Sequence, residues 1–209
     1  MSNPWLGILL ADYEGHMKSP QVQQLDVLAE LFAEALTHCL PSSIAVLGVA
    51  GGNGLDRIDQ SMTKRVVGLD INPLYLKEAR QRYADGLPLD LHCIDLAEQL
   101  VDLEPAQLVH AALVFEHAGV DRCLENALSL VGPDGVLSAV LQLPSESMPG
   151  VSASPFPAMQ ELKSHFSLVD PAWFQETLAE RGFILTYQVQ RSLPGGKGLW
   201  MGIFSRWRA

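Results

Sequence analysis

The apolar positions change period several times along the chain. Between Gln21 and Cys39, residues Val22, Leu25, Leu28, Ala29, Phe32 and Leu36 share one helical face, with Pro20 before and Pro41 after, which predicts a helix. Short, nearly continuous apolar runs follow at Ser43–Gly48, Arg65–Asp70, Pro88–Cys93, Gln107–Leu113 and Val136–Leu143. Runs of this kind mark strands buried on both faces. The stretches between them predict helices at Leu55–Met62, Pro73–Tyr83, Leu96–Leu100 and Asp121–Leu130, and a turn at Gly132-Pro133-Asp134-Gly135.

Strands alternating with helices imply a parallel sheet with helices on both faces. The rhythm breaks at 143–158, where Pro144, Pro149, Pro155 and Pro157 fall among serines. A long proline-rich connection inside a compact domain reads as a lid or binding loop. Beyond it, Pro157–Phe166 and Pro171–Arg181 read as helices. Phe183–Arg191 and Gly198–Trp207 read as strands joined by L-P-G-G-K-G, a hairpin that gives the sheet an antiparallel end. The expected architecture is α/β, a Rossmann-like doubly wound sheet of seven strands. It forms one domain, with an N-terminal arm over 1–20.

The charge balance is acidic, 14 Lys plus Arg against 24 Asp plus Glu, which argues against general binding to nucleic acids or anionic membranes, though not against a local basic pocket. Cys39, Cys93 and Cys123 are far apart, with no C-x-x-C. That predicts reduced, mostly buried thiols rather than a disulfide framework or a zinc site. The N-terminus has no basic leader region, and no apolar run approaches the ~20 residues of a membrane helix, so a cytoplasmic protein is expected.

Candidate chemistry sits at the strand ends. The run I-A-V-L-G-V-A-G-G-N-G-L-D-R-I places four glycines directly behind the first strand. Glycine lets a ligand reach the backbone with no Cβ in the way. The frames G-x-x-G-G-x-G from Gly48 and G-x-G-x-x-R from Gly52 both depart from the dinucleotide fingerprint G-x-G-x-x-G, and no Gly-Lys-Ser/Thr follows for a Walker loop. Asp70 ends the second strand in G-L-D-I-N-P, where an acid can accept both hydroxyls of a ribose. Asp95 ends the third in H-C-I-D-L.

Taken in order, these stretches resemble the class I S-adenosylmethionine-dependent methyltransferases. V-L-G-V-A-G-G-N-G is similar to their first motif, an acid-x-Gly-x-Gly-x-Gly loop; G-L-D-I-N-P to the second; I-D-L to the third; and Q-L-V-H-A-A-L-V-F-E-H and V-G-P-D-G-V-L to the parts that follow. The resemblance runs over roughly residues 21 to 207. It implies S-adenosyl-L-methionine as cofactor, held at Gly48, Ala50, Gly52, Asn53, Gly54, Asp70, Ile71, Asp95, Leu96 and Ala111. Asp70 would hold the ribose and Asp95 the adenine amine. It implies transfer of a methyl group to a small molecule by in-line displacement, with no metal required. A non-catalytic cofactor-binding protein and an NAD(P)-dependent oxidoreductase remain as alternatives.

Two positions depart from the pattern. Gly48 stands where the first motif opens with an acid, and Ala50 replaces its first glycine. The acid contributes to holding the methionine amino group, so the N-terminal D-Y-E-G-H-M is expected to substitute by folding over the cofactor. Tyr13, His16 and His117 are the candidate catalytic groups, with Glu116 beside them. His110 reads as a satisfied core histidine, Trp173, Trp200 and Trp207 as packed, and Lys197 as solvated. Met148, Phe156 and Met159 suit a partly apolar acceptor.

Overall fold

The computed structural model describes residues 3–145, 149–194 and 196–208. Met148 therefore lies outside the described residues. Seven strands form one sheet in the order β3-β2-β1-β4-β5-β7-β6. They are β1 (Ser43–Leu47), β2 (Arg65–Asp70), β3 (Leu89–Cys93), β4 (Ala106–Ala112), β5 (Val131–Leu143), β6 (Phe183–Ser192) and β7 (Gly198–Arg206). β1 to β5 pair in parallel, and β7 runs antiparallel between β5 and β6. The antiparallel strand is thus one place in from the edge, and β6 is the edge itself.

The chain order explains this layout. β1 and β4 are adjacent, so strand order reverses between them and a crevice opens over their carboxyl ends. The helices are α1 (Leu10–Lys18), α2 (Leu25–Cys39), α3 (Pro73–Tyr83), α4 (Phe115–Ala118), α5 (Asp121–Ser129) and α6 (Pro171–Ala179). Alternate residues of one strand serve opposite cores. Ile44 and Val46 pack with Leu31, Phe32 and Leu76 from α2 and α3. Ala45 and Leu47 pack with Leu124, Ala127 and Phe174 from α5 and α6. Both strand faces are covered, which accounts for the continuous apolar runs.

Local chemistry fixes the elements nearest the crevice. Asn72 caps α3 by accepting from the Leu74 amide at 2.9 Å, and Pro73 fills the first helical position. Here the expected and observed bounds of β2 and α3 coincide.

Elsewhere they differ. Leu55–Met62 is helical only as the 3-10 turn Leu55–Arg57, because Ile58 turns extended and Asp59 then accepts from the Ser61 amide in a turn of its own. Residues 96–100 form a turn rather than a helix. Residues 132–135 belong to β5, where pairing jumps from Ala106–Val131 to Leu108–Val136 across a bulge. Cys93 is exposed, its thiol beside the Ile71 carbonyl, because it ends an edge strand. Trp200 is buried as expected, whereas Trp173 and Trp207 are 48% and 64% exposed, one on the first turn of α6 and one beyond the end of β7. No helix among the described residues is long and apolar enough to cross a membrane.

Candidate functional site

The glycine stretch does not form a smooth turn. Gly48, Ala50, Gly52 and Gly54 all have positive φ, at 64°, 46°, 86° and 85°. Four left-handed residues at alternate positions coil the chain tightly behind β1, and only Ala50 carries a Cβ there. A side chain at Gly48 would meet Val114 Cγ2 at 2.7 Å. The expected acid is therefore excluded from position 48 by both backbone conformation and space.

Asp70 holds this coil in place. Its Oδ2 accepts from the Ala50 amide and its Oδ1 from the Asn72 amide, each at 2.8 Å. The Ile71 amide is a third backbone donor to the carboxylate. Burial raises the carboxyl to about pKa 6, against the pull of these amide donors. Asp95 is half-buried. Its Oδ1 accepts from the Ala97 amide at 3.0 Å, and Oδ2 takes no donor among the described residues.

Above these tips lies a cavity of about 1040 Å³, counting its open mouth. Gly48, Ala50, Asp70, Ile71, Asp95 and Leu96 line one half. Gly52, Asn53, Gly54 and Ala111 do not reach it. Asn53 donates instead to the Leu25 carbonyl at 2.9 Å, fastening the coil to α2, and Gly54 packs against Phe32 and Ala29.

The N-terminal arm is a roof. Tyr75 donates from its hydroxyl to the Ile8 carbonyl at 3.0 Å, and Asn72 donates to the Trp5 carbonyl at 2.9 Å. Glu14 makes a two-pronged ion pair with Arg82, at 2.5 and 3.2 Å, across the buried Gly51. Glu14 is thus committed to α3 and does not line the cavity, so the D-Y-E segment brings no free carboxylate to the place of the missing acid. Tyr13 does reach the cavity, stacked on Tyr75 at 6.2 Å. Burial and the Asp70 charge hold its phenol well above the ordinary value, so it is a hydroxyl donor and not a base.

The other half of the cavity comes from distant parts of the chain. Trp5 meets Tyr13 edge-on at 5.6 Å and His117 at 4.9 Å, and His117 meets Phe166 at 5.1 Å. Val151, Met159 and Leu162 extend this wall. His117 Nδ1 is buried without a partner, and burial lowers the imidazole to about pKa 4, so it is neutral. His16 shares a 2.8 Å hydrogen bond with Ser154 and is likewise lowered to about 4, by burial and by Lys197.

Glu116 is 1% exposed and lies off the cavity. Its Oε1 accepts from the Gln142 amide at 2.7 Å, Oε2 has no partner, and burial raises the acid to about pKa 7. His110 is buried on Ser138 at 3.1 Å and packs on Phe32.

Lys197 is not solvated. It is 6% exposed, lines the cavity, and is lowered to about pKa 8 by burial. Its position in a glycine-rich hairpin suggests solvent. The sequence does not show that the hairpin folds back against the end of β5, where Gly198 pairs with Leu143.

The comparisons with known proteins agree with this fold. The family model described as a methyltransferase domain matches residues 46–137. No curated protein matches the chain in sequence. Among solved structures, the N-methyltransferase NodS from Bradyrhizobium japonicum WM9, in complex with S-adenosyl-L-homocysteine, aligns with a TM-score of 0.64 at 15% identity, over 88% of this chain and 87% of its own. Magnesium protoporphyrin IX methyltransferase (ChlM) from Synechocystis PCC 6803 with bound SAM gives 0.61 at 16%, over 88% and 78%. The DhpI–SAH complex gives 0.66 at 17%, over 97% and 95%. Residues 46–137 therefore match the methyltransferase-domain model, and the chain as a whole has the fold of the S-adenosylmethionine-dependent methyltransferases it aligns with.

Proposed function

We propose that this protein transfers the methyl group of S-adenosyl-L-methionine to a small-molecule acceptor. The observation that carries the reading is Asp70, a buried carboxylate that ties the left-handed coil in place and lines the cavity. A carboxylate so placed accepts from the hydroxyls of a ribose. Asp95 Oδ2 fits an adenine amine. Structural relatives crystallised with the cofactor or its product support the same reading.

The cofactor, when bound, supplies an electrophilic methyl on a sulfonium. The protein's part is to align a nucleophile with that carbon and to exclude water. Tyr13 and Trp5 close the cavity from above. His117 lines the acceptor half as a neutral imidazole and is the candidate to take a proton where the nucleophile carries one. Tyr13 and His16 shape the pocket. The acceptor is small because the aromatic wall closes over its half of the cavity. The protein's acidic charge balance opposes a nucleic-acid substrate.

Calorimetric titration with S-adenosyl-L-homocysteine, run beside NADH, tests this. Micromolar affinity for the first alone is expected. Binding of NADH alone would replace the reading with a redox one.

A further inference from the structure

Lys197 presents an unbalanced charge. Its ammonium lies within the cavity wall, nine-tenths buried. Its partners are neutral: the Gly150 carbonyl, and Gln142 Oε1 at a distant 3.5 Å. No carboxylate among the described residues pairs with it. A cation withdrawn from water and left beside neutral dipoles is costly unless an anion meets it.

The surroundings are fixed rather than loose. Gln24 donates to Gln142 Oε1 at 3.0 Å, and Gln142 donates to the Gly150 carbonyl at 3.0 Å. Gln142 is thus held at both ends of its amide, and Glu116 anchors its backbone from beneath. The ammonium has three hydrogens and two acceptors, which leaves one hydrogen for a ligand in the cavity it lines.

We infer that Lys197 and the Gln142 frame bind a carboxylate of the methyl acceptor, and that the acceptor is an acid with an apolar or aromatic body. This rests on the methyl-transfer reading above. The charge to be matched is one, which suits a monoanion; a phosphate dianion would leave excess negative charge buried. The cavity that Lys197 lines is also walled by Val151, Met159, Leu162, Phe166 and His117, which suit the apolar body.

The cofactor's own carboxylate is the other source of such a group. Lys197 precedes β7, and β1, β4 and β5 lie between that strand and the Asp70 tip of β2. Four inter-strand steps span roughly 19 Å. The Lys197 backbone therefore stands well away from the ribose site, and the S-adenosyl-L-homocysteine affinity of Lys197→Met separates the two sources.

The test uses the full-length protein and begins with S-adenosyl-L-homocysteine affinity alone. The saturated protein is then titrated with phenylacetate and hexanoate, and with phenylacetamide and hexanamide. The acids are expected to bind at least tenfold tighter than their amides. Lys197→Met should abolish that preference and leave S-adenosyl-L-homocysteine affinity within about threefold; Lys197→Arg should retain the preference. Equal binding of acid and amide, no binding of either acid at millimolar concentration, or a preference that survives Lys197→Met would overturn the inference. A tenfold loss of S-adenosyl-L-homocysteine affinity in Lys197→Met would give the lysine to the cofactor and overturn it too. If the wild-type protein fails to bind S-adenosyl-L-homocysteine, the methyl-transfer reading falls. The same acid-to-amide ratio, measured on the free protein, then decides the carboxylate site by itself. Should Lys197→Met not fold, the wild-type ratio and the Lys197→Arg variant still decide.

Discussion

The two halves of the cavity are built on different principles. Over β1, β2 and β3 the polar groups are backbone amides and the carboxylates Asp70 and Asp95, all within one loop of a strand end. Over β4, β5 and β7 they are side chains from positions 16, 24, 117, 142 and 197, drawn together by tertiary packing and ringed by aromatics. A local site tolerates little change, because each group also holds the fold. A dispersed site can be altered one side chain at a time. The first half suits a fixed ligand and the second a variable one.

The sharpest way to break this contrast is Asp70→Ala. It removes one or two charge-assisted bonds to the ligand, and S-adenosyl-L-homocysteine binding should weaken by about 1.5–3 kcal/mol. It also orphans the Ala50 and Asn72 amides, so the melting temperature should fall as well. Unchanged affinity by calorimetry would move the ribose elsewhere.

Glu116 tests the scaffold under the second half. Its folded pKa of about 7 lies above its ordinary 4.5. Below about pH 4.5 both folded and unfolded chains hold the proton, so that contribution is fully present. Between 4.5 and 7 only the folded chain holds it, and stability declines as pH rises. Glu116→Gln removes that slope. Its stability relative to wild type should climb by about 1–3 kcal/mol between pH 5 and pH 8, measured by urea unfolding.

Asp70 gives a pH signature of opposite sense in the first half. Protonation below about pH 6 puts a hydrogen on an oxygen that must accept from a ribose hydroxyl. S-adenosyl-L-homocysteine affinity should therefore drop as pH falls through 6, by at most about tenfold per unit. A flat profile down to pH 4.5 would disprove the contact.

Phe166→Ala should separate the halves. It removes the edge contact with His117 and should weaken phenylacetate binding by about 0.5–1.5 kcal/mol while leaving S-adenosyl-L-homocysteine affinity unchanged. The smallest effect is expected at Ala50. Ala50→Gly relieves a left-handed alanine but loosens the unfolded chain, and the two terms of about 1 kcal/mol nearly cancel. A melting temperature shift of several degrees would show that one dominates.

The same contrast governs what the sequence reveals. β2 and α3 are legible because Asp70, Asn72 and Pro73 state their own local geometry. The coil behind β1 is legible from its glycines, and so is the β6–β7 hairpin. What escapes is decided at long range. Gly-Pro-Asp-Gly at 132–135 has every mark of a free turn, yet it runs within β5, packed so close to the Ala106 carbonyl that side chains at 132 and 135 would meet it. Asn53 looks like part of a ligand loop and is spent on Leu25. Lys197 is buried by a hairpin whose landing place no local pattern announces.

Helix α1 carries Gly15 in its interior, and the Phe156 ring occupies the place of the missing side chain. A nine-residue helix interrupted by glycine does not hold itself together in water. Its order is borrowed from the segment above it, and that segment in turn leans on the helix through Phe156 and Ser154. The two should behave as one cooperative unit. Amides of residues 10–18 and 149–166 are expected to share a single opening free energy in hydrogen exchange, below that of the sheet, and to gain protection together when the pocket fills.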